Sequence, residues 1–292
     1  MSLSIRHISL LARLLALLQL GLIALPSQAA IIKEKLPSGL YGVADYRAGS
    51  KNRPAVMILH GFLTTFNFNT VFGAIELLAE NGYTVLAPNL SLGINARKQG
   101  LPCDAIHTHT MEQDLEETAF WVNWLVKQGA KNVVLIGHSI GSLILLAYAS
   151  DKPHPAVTML IATSMSFANN FNSDAEIKKQ LRTAHEYKTK GDKSLYPYTL
   201  SYCKGNFLAP AEVYLSYSKW TKQRVLAALK RIRFPVHIIM GGADKRFDKQ
   251  WLDQLSRAGA NMIIIPGANH FFDDQHEFDL HDSFLTILEA GK

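Results

Sequence analysis

The 292-residue chain has only two cysteines, Cys103 and Cys203, and charged residues make up 18% of it. Two cysteines cannot build a disulfide scaffold, so the fold must rest on a hydrophobic core, for which 48% apolar residues suffice. Low-complexity tracts and internal repeats are also missing, which excludes disordered, fibrous and solenoid architectures. No apolar run reaches the roughly 20 residues that a membrane-spanning helix needs. The longest, Leu14–Leu25, is twelve residues.

That run has a particular setting. Arg6 and Arg13 precede it, and Pro26 with the small-residue stretch Ser27-Gln28-Ala29 follows. A positive start, a short apolar centre and a small-residue end describe a secretory signal peptide, expected over residues 1–29. No cysteine follows the run, which disfavours a lipoprotein. The expected product is an exported protein, periplasmic or secreted, in which thiols can oxidise. Whether Cys103 and Cys203 pair is left open by the sequence.

From Tyr41 onward, short β-rich runs alternate with helix-patterned segments. Strands are expected at Tyr41–Tyr46, Ala55–Leu59, Thr84–Pro88, Asn132–Ile136, Val157–Ala162, Val236–Met240 and Asn261–Ile265. Helices are expected at Val71–Asn81, Met111–Gln128, Ser142–Ser150, Asp248–Ala258 and Glu277–Ala290. This order predicts an α/β fold with a doubly wound, mostly parallel sheet over residues 30–292. About seventy residues break the alternation between Thr163 and Val236, too many for an ordinary connection. They read as an inserted, helix-like cap at about 165–232.

Charge is concentrated in that cap. Met165 to Pro235 holds thirteen Lys and Arg against five Asp and Glu, a net +8. Loss of Arg6 and Arg13 with the leader takes the chain from +6 to +4, so the remaining body stands at −4. A basic cap over an acidic body suits an anionic substrate or an anionic membrane surface, although a solvated cationic face is the commoner outcome. No module for nucleic acid is present.

The chemistry-bearing residues stand at strand ends. Asn132–Ile136 runs into Gly137-His138-Ser139-Ile140-Gly141 and then a helix pattern, a turn whose glycines permit close backbone approach and lift Ser139 above the sheet edge. A serine hydroxyl needs a base and an orienting acid. His270, in Gly267-Ala268-Asn269-His270, and Asp244, in Gly241-Gly242-Ala243-Asp244, each follow a strand, and strand ends converge on one crevice in such a sheet. Asp248, Asp273 and Asp274 are nearby competitors for the acid. The turn His60-Gly61-Phe62 places the Phe62 N–H as a second oxyanion donor beside that of Ile140. His60 and His138 read as supporting residues. His107 and His109 read as loop side chains rather than metal ligands, since no second cluster completes a set. The cap aromatics Phe167, Phe171, Tyr187, Tyr196, Tyr198 and Tyr202, with those that follow, read mostly as packing between cap and body.

Together the His-Gly-Phe turn, the Gly-His-Ser-Ile-Gly elbow, the Gly-Gly-Ala-Asp turn and the Gly-Ala-Asn-His loop resemble the α/β-hydrolase superfamily from about Tyr41 to the C-terminus. The resemblance implies an eight-stranded sheet, a Ser139–His270–Asp244 triad and an acyl-enzyme hydrolysed by water, with no metal or organic cofactor. Many relatives carry Asp-x-x-Gly-x-Gly-x-Ser after the third strand, where this chain has Asn89 to Arg97. The expected function is hydrolysis of a carboxylic ester, small or lipid-like. Thioester, amide or acyl-transfer chemistry on the same triad, and a non-catalytic binding protein of this fold, stay open. A serine at position 139 disfavours a dehalogenase, whose nucleophile would be a carboxylate.

Overall fold

The computed structural model describes residues 29–168 and 174–291. Ten strands and eight helices are present among them. The signal peptide expected over residues 1–29 lies outside the described residues except for Ala29, as does Phe171.

Eight strands form one sheet in the order β1-β2-β4-β3-β5-β6-β9-β10. They are β1 (Ala29–Lys35), β2 (Tyr41–Arg47), β3 (Ala55–Leu59), β4 (Thr84–Asn89), β5 (Val133–His138), β6 (Val157–Thr163), β9 (Val236–Gly241) and β10 (Asn261–Ile265). Neighbouring strands pair in parallel except for β1 with β2 and β2 with β4, which are antiparallel. The central strands β3 and β5 are buried along their whole length, which is why they read as continuous apolar runs. Strand β1 was not expected: Ala-Ala-Ile-Ile-Lys-Glu-Lys is a mostly exposed edge strand, and its first residues continue the leader's small, apolar composition.

Helices cover both faces. On one lie α1 (Asn69–Glu80) and α8 (His276–Ala290), packing Val71, Ile75 and Leu78 near Leu280 and Phe284. On the other lie α2 (Met111–Lys127), α3 (Ile140–Ser150) and α7 (Lys249–Arg257). All eleven residues of α3 are buried, so it is apolar on every side and fixed at the centre of the fold. Thr110 and Gln113 form a capping box at the start of α2, setting where the loop after β4 ends.

The insertion between β6 and β9 holds α4 (Asp174–Thr189), α5 (Ala211–Ser218) and α6 (Lys222–Leu229), and also a hairpin, β7 (Tyr196–Leu200) with β8 (Cys203–Ala209). A wholly helix-like reading therefore misses the hairpin. Its tyrosines find partners distant in sequence: Tyr198 stacks on Tyr214 at 4.2 Å and Tyr196 on Tyr187 at 3.9 Å. Phe207, Tyr214 and Tyr217 are buried in the same core as α2 and α3, so cap and body share one apolar interior. Cys103 and Cys203 are joined, their Cα atoms 5.5 Å apart, which ties the loop after β4 to the start of β8.

Candidate active site

Ser139 stands at the junction of β5 and α3 with φ 55° and ψ −120°, a left-handed backbone that a non-glycine residue adopts only when its surroundings enforce it. They do so here. A Cβ at Gly137 would lie 2.6 Å from the Ser142 backbone, and one at Gly141 would lie 2.4 Å from the His60 carbonyl oxygen. The Ser139 N–H donates to Thr163 O at 2.9 Å, pinning the turn to β6.

His270 follows β10 and Asp244 follows β9. His270 Nδ1 is 2.7 Å from Asp244 Oδ2, and His270 Nε2 is 3.0 Å from Ser139 Oγ. The structure thus brings the three sequence-predicted residues into one hydrogen-bonded line, and both His270 and Asp244 are buried. Asp244 Oδ1 accepts the Arg246 N–H at 3.1 Å. Burial raises the Asp244 carboxyl above its ordinary value, opposed by the Arg246 N–H and charge. Two of the competitors are occupied elsewhere: Asp248 caps α7 by accepting the Trp251 N–H, and Asp273 accepts from Asn269 Nδ2.

Two residues that no motif announced hold the histidine loop. Ser164 Oγ donates to His270 O at 2.7 Å, and Thr70 Oγ1 donates to Phe271 O at 2.8 Å. Both hydroxyls lie far from position 270 in sequence, so only the folded sheet reveals them.

Phe62 and Ile140 flank the serine on adjoining strand ends. Ile140 is the first residue of α3, so its N–H lacks an intrahelical acceptor and stands at the positive end of the helix. The Phe62 turn is braced from beneath by His60 and Arg97. His60 Nδ1 donates to Gly61 O at 2.8 Å, while its Nε2 accepts from Arg97 Nη2 at 3.0 Å and from the Leu90 N–H at 3.2 Å. Burial and the Arg97 charge push the His60 pKa down to about 3, which agrees with a neutral ring that donates at one nitrogen and accepts at the other. Arg97 also donates to the carbonyls of Leu90, Thr64 and Gln99, and Asn89 accepts the Phe66 N–H. The stretch Asn89 to Arg97 therefore anchors the His60-Gly61-Phe62 turn. His138 is neutral as well, pushed down to about 3 by burial and the Arg246 charge, and its Nδ1 bonds Thr163 Oγ1. His107 stacks on Phe207 at 4.2 Å and His109 meets the edge of Tyr217.

Above Ser139 opens a pocket of about 300 Å³ lined by Phe62, Phe68, Tyr202, Phe271, His138 and Arg246, among others. Tyr202, at the turn of the cap hairpin, donates its hydroxyl to Phe62 O at 3.1 Å. A larger cleft of about 660 Å³ lies at the opposite ends of the strands, around Ala55, Thr84 and Asn132, away from Ser139.

A sequence profile of the alpha/beta hydrolase family matches residues 56–279. The chain belongs to that family. Its structural relatives include GrgF, an alpha/beta hydrolase from Penicillium sp. sh18, at 16% identity and a TM-score of 0.69 over 90% of this chain and 98% of that one. Est1E from Butyrivibrio proteoclasticus superposes with a TM-score of 0.61 at 19% identity, over 90% of this chain and all of its own. A thioesterase domain from the curacin biosynthetic pathway gives 0.58 at 17%, over 89% and 99%. Likeness at this level of identity speaks for the fold alone. No curated protein sequence matches the chain.

Proposed function

We propose that this alpha/beta hydrolase is an exported serine esterase. The observation that carries the reading is the unbroken line from Asp244 through His270 to Ser139, at 2.7 and 3.0 Å. Ser139 Oγ attacks the ester carbonyl as His270 Nε2 takes its proton, and Asp244 holds the ring by its Nδ1–H. The Phe62 and Ile140 N–H groups bind the oxyanion. The intermediate collapses to an acyl-enzyme when His270 returns the proton to the departing alkoxide, and water repeats the sequence in reverse. The residues supply nucleophile, base and electrostatic stabilisation, so the reaction calls for no cofactor.

An ester is favoured over a metabolically activated acyl donor by the small, aromatic-walled pocket, which is open to solvent beside Tyr202. Among the relatives, Est1E has been seen with ferulic acid bound, which fits an ester-cleaving reading, whereas the curacin domain is a thioesterase. Thioester cleavage on the same triad is the alternative. Export rests on Arg6, Arg13, Leu14–Leu25 and Ser27-Gln28-Ala29.

One experiment tests both parts. Full-length chain expressed in a Gram-negative host is fractionated and treated with a fluorophosphonate probe and a panel of nitrophenyl esters. The expected outcome is a labelled periplasmic or secreted protein whose mass begins near Ala30, with Ser139→Ala unlabelled and its kcat lower by on the order of 10⁶-fold. Equal turnover by Ser139→Ala would remove the serine mechanism, and retention of the intact N-terminus in the cytoplasm would remove export. Hydrolysis of acyl thioesters but not of oxygen esters would favour the alternative.

A further inference from the structure

The pocket above Ser139 is aromatic on most sides, yet one permanent charge reaches it. Among the described residues that line it, Arg246 is the only Lys, Arg, Asp or Glu. It lies two residues past Asp244 in the turn that leads to α7, and its guanidinium rests 4.9 Å over the Phe271 ring. The turn is held by the Arg246 N–H on Asp244 Oδ1, a backbone contact that any residue at 246 could make. The side chain is half-buried, and its charge acts on both His138 and Asp244. Neither histidine of the pocket competes for an anion: His138 is neutral, and His270 is engaged by Asp244 and Ser139.

We propose that Arg246 forms an anion subsite for the alcohol part of the substrate, recognising a carboxylate on the leaving group. This rests on the esterase reading. The side of the pocket follows from proton transfer: His270 must hand its proton to the departing oxygen, so the alcohol part lies along His270, Phe271 and therefore Arg246. A guanidinium supplies paired N–H donors that match a carboxylate. The flat ring of Phe271 steadies the fork. The cap adds a field of the same sign, at a net +8, which raises the local concentration of anionic esters.

The test compares two esters of equal shape, 3-carboxyphenyl butanoate and its neutral isostere 3-carbamoylphenyl butanoate, on the mature protein. The parent should prefer the carboxylate in kcat/KM. Arg246→Met should reduce that preference by about tenfold to a hundredfold, and Arg246→Lys should keep part of it. Because the comparison is a ratio within each protein, a general loss of activity or stability cancels. A ratio in Arg246→Met equal to the parent's, or a parent that prefers the carboxamide, would overturn the subsite. A second readout needs no turnover: 3-hydroxybenzoate, but not 3-hydroxybenzamide, should raise the Tm of the parent and fail to raise that of Arg246→Met. Equal shifts by the two ligands would also overturn the subsite. The esterase reading fails separately, through absence of labelling at Ser139.

Discussion

At the scale of single residues, the site depends on two backbones that approach too closely for any side chain. Gly141 passes within reach of the Leu59 and His60 carbonyls, so a methyl there would sit 2.4 Å from His60 O. Gly61, in the neighbouring turn, would meet nothing nearer than 3.5 Å. The two glycines look alike in sequence but should respond differently to alanine. Gly141→Ala should lose roughly 1–3 kcal/mol or more and depress kcat, since β3 and α3 must part and the Phe62 and Ile140 N–H groups proposed to bind the oxyanion move with them. Gly61→Ala should stay within about 1 kcal/mol of the parent. Urea unfolding of both variants checks this, and equal losses would show that the elbow tolerates displacement. Ser139, Asp244 and His270 are singled out by the sequence because each stands in a turn after a strand, and turn chemistry is local. Ser164, Thr70, Arg97 and Arg246 are not, because each acts on a partner brought near only by the folded sheet.

At the scale of elements, the cap hairpin is the part that meets both the body and the pocket above Ser139. Its turn places Tyr202 on Phe62, Cys203 at the start of β8 is bonded to Cys103, and Leu208 O accepts the His107 N–H at 2.9 Å. The hairpin escapes sequence reading because its tyrosines, asparagine and lysine lack a clean alternation, and its stability comes from stacking on α4 and α5. The pairing of the two cysteines is undecidable from sequence for a similar reason, since 100 residues separate them. A link of that span restrains the unfolded chain strongly. Cys203→Ser, or reduction of the parent, should lower the Tm by roughly 5–15 °C and slow fluorophosphonate labelling as Tyr202 leaves Phe62. A Tm indifferent to reductant would show that packing alone seats the hairpin.

Over the whole molecule, buried ionisable groups set how stability answers to pH. His60, His109 and His138 are buried and neutral, each pushed down to about 3. Burial is the main cause in all three, reinforced by Arg97 at His60, by His107 and Arg97 at His109, and by Arg246 at His138. An unfolded histidine titrates near 6.5, so between about 6.5 and 3 the unfolded chain binds more protons than the folded one. Stability is therefore present above 6.5 and lost as pH falls, by roughly 1–1.5 kcal/mol per histidine at the first unit below. Asp114 has the opposite sign. Buried beside Glu117 and accepting from the Tyr217 hydroxyl, it is raised well above the ordinary carboxylate range, so its contribution declines as pH rises. Burial raises Glu117 as well, opposed by the N–H and hydroxyl of Ser91, which it accepts, and by the Arg97 charge. The two limbs predict a maximum of stability near neutral pH with a steep acid side. Urea midpoints at pH 7, 6 and 5 should fall in the parent and fall less in His109→Gln, which removes one buried histidine away from Ser139. Asp114→Asn should steepen the acid side by removing the opposing contribution. Parallel slopes in parent and His109→Gln would mean that the buried histidines are not what makes the fold sensitive to acid.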